Sequence, residues 1–343
     1  MTVDVTVVAD IWQGVTKRRI TRSGESFFDT GSSLQSAVML ALLEAEFDVR
    51  VSLGQFLLDP SFDGLVRRLN DAQGKDPEGL LIALRVEANS KIPLVLIHPH
   101  SGTALSYLSL VERIESRPVF GVMARGFDTS APLLDDLDQM ATVYAREIHN
   151  ASIGPLVLGG WSLGAILAFE VAAKLERMGG FVAGLLMIDP KLDQVDRKEF
   201  EAPLWWRIAH AWRIEVHPDA LRALDQSSQM HSILADGIKQ HRVPVGFTVE
   251  MLVRRADIQA ANAKALVHYR STAHFDGDCS LFLAADELDR NALDYWQKRV
   301  SGNVDETIAP GSHGSLLMKP HVKSLALAVS VALAKRGRTN GAV

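Results

Sequence analysis

Three side chains in this sequence have the types and settings that acyl transfer needs. Gly160-Trp161-Ser162-Leu163-Gly164 fits G-x-S-x-G. It follows the apolar run Leu156-Val157-Leu158 and precedes a helical pattern of Ala165, Ala168, Phe169 and Ala172. A strand, a sharp turn and a helix in that order make a nucleophile elbow, in which the helix N-terminus aims its amides where negative charge develops. A serine alone is a poor nucleophile and needs a base with an orienting acid. Val182–Ile188 is an apolar run of buried-strand length, and Asp189 closes it at the end where parallel sheets build their sites. His313 lies in the small-residue loop Pro310-Gly311-Ser312-His313-Gly314, ahead of a helical stretch. His313 is therefore the candidate base for Ser162, and Asp189 the acid that fixes its tautomer and stabilises the imidazolium.

The order Ser, Asp, His along the chain is that of the α/β-hydrolases. An oxyanion formed at such a serine needs two amide donors, each worth ~10²–10³ in rate. One is the Leu163 N–H. The other is expected from the turn-rich His98-Pro99-His100-Ser101-Gly102 that follows the apolar strand Leu94–Ile97. The His100 amide is the first choice there and Ser101 the near alternative, with the His98 and His100 side chains read as loop packing. His98, His210, His217, His231, His241, His268 and His274 are read as surface or insertion residues. The single cysteine, Cys279, lies in a strand-like run and reads as core.

The elements that carry these residues need room. The chain has 343 residues, 47% of them hydrophobic, enough for more than one core and for a sheet flanked by helices. A net charge of −5 argues against a nucleic-acid surface. No apolar stretch reaches membrane-spanning length, and Met1 to Asp10 lacks the regions of a signal peptide. One cysteine excludes internal disulfides and fits the cytoplasm. No spacing suggests a metal site, and there is no phosphate-cradling loop.

Several of these segments together resemble the thioesterase domains that end nonribosomal peptide synthetases. They are Ile92–Gly102, Val119-Phe120-Gly121-Val122-Met123-Ala124-Arg125-Gly126, Gly159–Gly164, Asn262–Leu266 through Tyr269, and Cys279–Ala285. The resemblance spans roughly residues 80–336. It implies an α/β-hydrolase fold and a helical lid over an acyl pocket at about 191–260. The lid would hold the Trp205, Trp206 and Trp212 cluster, read mainly as lid packing.

The N-terminal part resembles a peptidyl carrier protein. Glu25–Leu34 looks like the attachment loop, Val8–Val15 like the first helix, and Pro60–Leu65 like the entry to the last. The resemblance implies a small all-α four-helix carrier domain at 1–70, a polar linker at 71–79, the hydrolase at 80–336 and a tail at 337–343. It makes Ser33 the residue that bears a covalent 4′-phosphopantetheine arm, for which a helix N-terminus suits the phosphodiester. The loop is one residue shorter than the usual pattern, with Ser32 directly before Ser33. The plain alternative for Ser33 is an N-cap.

The expected activity is release of a carrier-bound acyl or peptidyl thioester through a serine acyl-enzyme. Water would give an acid, an internal nucleophile a ring, and a separate acceptor an ester or amide. A trans-acting acyl shuttle, an editing thioesterase and a non-catalytic carrier or docking module are the alternatives. The implied partners are the thioester substrate, a phosphopantetheinyl transferase and upstream synthetase modules, with neither nucleic acid nor membrane. The chain is expected to be monomeric.

Overall fold

The computed structural model describes residues 3–71, 79–87, 89, 91–127, 131–192 and 195–336, without the side chain of Ser33. The polar linker (except its two ends) and the tail expected from the sequence lie outside the described residues. Two compact units are present. One takes in residues of 1–78 and 197–260, the other those of 79–127, 131–196 and 261–336.

The first unit begins with four helices, α1 (Val5–Thr16), α2 (Ser33–Phe47), α3 (Leu53–Leu58) and α4 (Phe62–Asp71). Their starts are fixed locally. The Asp4 carboxylate accepts from the Thr6 amide, and Ser32–Gln35 and Ser52–Gln55 form capping boxes on α2 and α3. Their core is aromatic. Trp12 meets Phe27 edge-on at 4.9 Å and Phe62 at 5.7 Å, and Phe56 closes the group against Phe27. Helix α2 is apolar on more than one face. Met39, Leu40 and Leu43 are buried, and so is Val38, which faces Gly246 of the second segment of this unit.

The second segment is helical too, as expected of 191–260. After α5 (Leu108–Val111), α6 (Leu137–Asn150) and α7 (Leu163–Arg177) of the other unit come α8 (Lys198–Glu201), α9 (Leu204–Trp212), α10 (Pro218–Arg222), α11 (Gln226–Lys239) and α12 (Val249–Val267). The unit boundary falls inside α12, after Ala260. Within the segment Trp205 is buried, Trp206 stacks on His210 and Trp212 packs edge-on against Phe247, so the tryptophans serve packing there.

The second unit is a seven-stranded sheet in the order β1-β3-β2-β4-β5-β6-β7. Its strands are β1 (Leu81–Arg85), β2 (Leu94–Ile97), β3 (Val119–Val122), β4 (Leu156–Trp161), β5 (Val182–Ile188), β6 (Cys279–Ala284) and β7 (Val304–Ala309). Only β1 runs antiparallel, at the edge. Helices α6 and α7 cover one face through Met140, Tyr144, Ile148, Ile166 and Phe169, and α7 is buried along almost its whole length. Helices α13 (Ala292–Gln297) and α14 (Val322–Arg336) complete the unit. This is the α/β-hydrolase arrangement expected from the sequence. Cys279 opens β6 as a core residue, and burial pushes its thiol up to about 12.

Register brings the strand ends together. Ile97 pairs with Gly160, Trp161 with Ile188, Ile188 with Phe282 and Ala284 with Ala309. The C-terminal ends of β2, β4, β5 and β7 therefore open on one edge, and Ser162, Asp189 and His313 follow β4, β5 and β7 there.

Candidate functional site

Ser162 sits between β4 and α7 with φ 59° and ψ −126°. Positive φ is costly for a residue with a Cβ, on the order of 1–3 kcal/mol, and persists only where the surroundings enforce it. Here they do. The Ser162 N–H donates to the Ile188 carbonyl at 2.9 Å, and the Ser162 carbonyl accepts from Ala165 at 3.1 Å. The two glycines of the motif allow the chain to double back this tightly. A Cβ on Gly160 would lie 2.7 Å from the Ala165 nitrogen, and one on Gly164 would lie 2.8 Å from the His98 carbonyl oxygen. The motif is thus a requirement of close backbone approach on both sides of the serine.

The structure brings the candidate base and acid to Ser162. His313 Nε2 is 3.0 Å from Ser162 Oγ, and His313 Nδ1 is 2.7 Å from Asp189 Oδ2. An ionised carboxylate can only accept, so Nδ1 carries the hydrogen and Nε2 is free to accept the serine proton. Asp189 is fully buried. Its N–H donates to the Phe282 carbonyl, and its Oδ1 accepts from the Ala284 amide at 3.1 Å, so β6 fixes both its backbone and its side chain. His313 opens a 3₁₀ turn, His313–Ser315, whose entry is held by Ser312 and Ser315. The Trp161 ring lies against the imidazole, with centroids 5.0 Å apart.

Four further residues pack around these groups in parts the sequence did not assign. Trp161 is one. Lys191 is buried, with Nζ 3.6 Å from Asp189 Oδ2, and donates to the Glu287 carbonyl at 2.9 Å. Tyr107 donates to the Ile97 carbonyl at 2.7 Å and accepts from the Trp161 N–H at 2.8 Å, tying β2 to the elbow through one hydroxyl. Burial raises its phenol above the usual range, which keeps it a neutral donor. Asn262 is buried on α12 and donates from Nδ2 to the His100 carbonyl at 2.8 Å. A tyrosine in a short apolar helix reads as core, and the segment that begins at Asn262 was quoted for its resemblance alone, so the partner of each is seen only in space.

The segment after β2 forms a turn closed by the Gly102 N–H on the Pro99 carbonyl at 2.9 Å. His98, grouped above with surface residues, is instead fully buried at its entry. Its Nδ1 lies 2.9 Å from the Pro99 carbonyl, so Nδ1 carries the hydrogen, and Nε2 accepts from Tyr144 at 2.7 Å. Burial pushes His98 down to about 4, so it is neutral and serves as a pillar for the turn. Leu163 is the first residue of α7, where an N–H has no acceptor within the helix.

A family model for the thioesterase domain matches residues 92–330. The chain belongs to the thioesterase domain family. The thioesterase is 26% identical over 338 residues to microperfuranone synthase of Emericella nidulans, covering 91% of this chain and 36% of that protein. The chain thus spans about a third of that relative's length. Among solved structures, a four-domain nonribosomal peptide synthetase bound to AMP and glycine aligns over 96% of the thioesterase chain and 26% of its own, with TM-score 0.65 and 21% identity. The Vlm2 thioesterase domain aligns over 73% of this chain and 96% of its own, with TM-score 0.54 and 21% identity. These are likenesses of fold. The first takes in the N-terminal helices as well as the sheet. No helix among the described residues is long and apolar enough to cross a membrane.

Proposed function

We propose that this thioesterase releases an acyl or peptidyl group from a carrier-bound thioester through an acyl-enzyme on Ser162. The observation that carries the reading is the imidazole of His313, hydrogen-bonded to Ser162 at one nitrogen and to buried Asp189 at the other. Ser162 Oγ attacks the thioester carbonyl as its proton passes to His313 Nε2. Asp189 meets the positive charge that develops on the ring. The tetrahedral oxyanion takes hydrogen bonds from the Leu163 amide and from an amide of the Pro99–Gly102 turn. Collapse breaks the carbon–sulfur bond, and the thiol leaves with the proton from His313. Water, or an amine or hydroxyl of the acyl group or of an acceptor, then loses its proton to His313 and attacks the ester.

Ser33 is the proposed bearer of the phosphopantetheine arm. Its side chain lies outside the described residues, but its place in α2 fits: it is the first residue of a 15-residue helix, and the cap is supplied by Ser32. The hydroxyl at 33 is therefore not needed as the N-cap, and the helix terminus favours a phosphate. When attached, such an arm presents the acyl group as a thioester. A carrier at 1–70 tethered to a hydrolase at 80–336 raises the effective concentration of that thioester at Ser162. Relatives that are longer synthetases support a feed from upstream modules.

The test loads the chain with a phosphopantetheinyl transferase and a short acyl-coenzyme A, then follows intact mass. An acylated-arm mass should appear and decay to the bare arm, persist in Ser162→Ala and be absent in Ser33→Ala. Equal decay in Ser162→Ala would overturn the reading.

A further inference from the structure

We infer that Lys191 is a positioning residue for the Asp189–His313 couple, a buried cation that biases the imidazole toward the uncharged form able to accept the Ser162 proton. The inference rests on the acyl-enzyme reading and deepens it.

Lys191 stands two residues beyond Asp189, past the end of β5, and is only 7% exposed. Burying an ammonium is costly unless it is both paired and hydrogen-bonded. Lys191 meets the two conditions on two different partners. Its Nζ donates to the Glu287 carbonyl at 2.9 Å and faces Asp189 Oδ2 at 3.6 Å. The second distance is too long for a hydrogen bond. Lys191 therefore leaves Oδ2 to His313 Nδ1, which sits 2.7 Å from the same oxygen. What reaches the couple from Lys191 is charge.

That charge opposes protonation of the ring. A buried carboxylate against Nδ1 favours the imidazolium, and an imidazolium has no lone pair for the serine proton. With His313 protonated, two cations would face one carboxylate oxygen. Lys191 thus offsets part of the pull of Asp189 in the resting enzyme. The other elements around the ring bring no buried cation of this kind. Strand β4 brings Trp161 and no charge, and the turn after β6 brings Asp286 and Glu287, both exposed. The loop before α14 brings exposed Lys319 and half-buried His321, and the turn after β2 brings His100 and neutral His98.

The same lysine braces the base. Glu287 ends the 3₁₀ turn Ala285–Glu287, whose Asp286 N–H donates to the Gly311 carbonyl at 3.2 Å, two residues before His313. Lys191 so joins the strand of the acid to the turn that holds the loop of the base.

The discriminating substitution is Lys191→Gln, which keeps a donor for the Glu287 carbonyl and removes the charge. Lys191→Met removes both and stands in should the glutamine variant fail to fold; Lys191→Arg keeps the charge. For each, kcat/KM on a soluble acyl thioester is measured from about pH 5.5 to 8.5, with activity checked again on return to neutral pH. The acid limb of that profile reports the base of the free enzyme. Ser162→Ala is run alongside: if it retains turnover, the acyl-enzyme reading fails first, whatever Lys191 does. With that reading standing, loss of the cation lets the ring hold its proton to higher pH. The acid limb should therefore move up by about one pH unit in Lys191→Gln and Lys191→Met, and stay near the parent in Lys191→Arg. A limb unmoved in the glutamine and methionine variants would overturn the inference, whatever happens to the plateau rate. So would a limb that moves as far in Lys191→Arg as in Lys191→Gln.

Discussion

Gly164 packs directly against the carbonyl of Ile97, so that a Cβ at 164 would fall inside van der Waals contact of that oxygen and 3.0 Å from the Tyr107 hydroxyl. The last glycine of the elbow is thus demanded by β2, whose backbone meets that of the first turn of α7 with no side chain between them. Gly164→Ala should cost about 1–3 kcal/mol through forced backbone displacement and lower turnover with it. Gly154, whose Cβ direction is open, provides the contrast: Gly154→Ala should stay within about 0.5 kcal/mol of the parent in urea unfolding.

Asp189 holds the imidazole in the tautomer that can accept from Ser162. Asn at this position can donate to Nδ1, which shifts the ring hydrogen to Nε2 and blocks acceptance of the serine proton. Asp189→Asn should therefore lower kcat by roughly 10³–10⁴. It also leaves Lys191 without its facing carboxylate. Steady-state kinetics on a soluble thioester reads the loss, and near-unchanged KM would place it in the chemical step.

The Tyr107 hydroxyl satisfies two buried backbone groups at once. Tyr107→Phe leaves the Ile97 carbonyl and the Trp161 amide unpaired and should destabilise the fold by about 1–3 kcal/mol. A midpoint unchanged in urea unfolding would contradict this role.

His98 gives the fold a pH dependence of definite sign. It is held neutral by burial with a folded value of about 4, against 6.5 as its ordinary value. Above that ordinary value neither state binds the proton. As pH falls from 6.5 toward 4 the unfolded chain takes it up and the folded one does not, so stability drops, by on the order of 3 kcal/mol in full. Unfolding free energies measured at pH 7, 6 and 5 should show this fall, and His98→Gln should flatten its slope by about one proton.

The candidate triad was legible in the sequence through two kinds of signal, the end of an apolar run and a small-residue setting. The run Val182–Ile188 is β5, residue for residue, and Asp189 follows it. Ser162 and His313 stand in small-residue settings, which mark tight backbone that only certain residues permit. The supports were not legible. Tyr107 and Lys191 act through partners between 2 and 96 residues away with nothing in their neighbourhoods to mark them, and Asn262, though it lies in a quoted segment, gives no sign of its partner 162 residues away. The strand β7, Val304–Ala309, carries no long apolar run, so it emerges only from pairing. Nor does a sequence say what will cover the second apolar face of α2. That face meets the helical segment 197–260, which is why the two fall in one compact unit.

The most direct measurement is rapid quenching of the protein with a soluble acyl thioester, followed by digestion and mass analysis of the peptide that carries residue 162. The acyl mass should be found on Ser162 early in turnover, and both the adduct and turnover should vanish in Ser162→Ala. Full turnover in that variant, or an acyl group on a different residue, would contradict the assignment of Ser162 as the nucleophile.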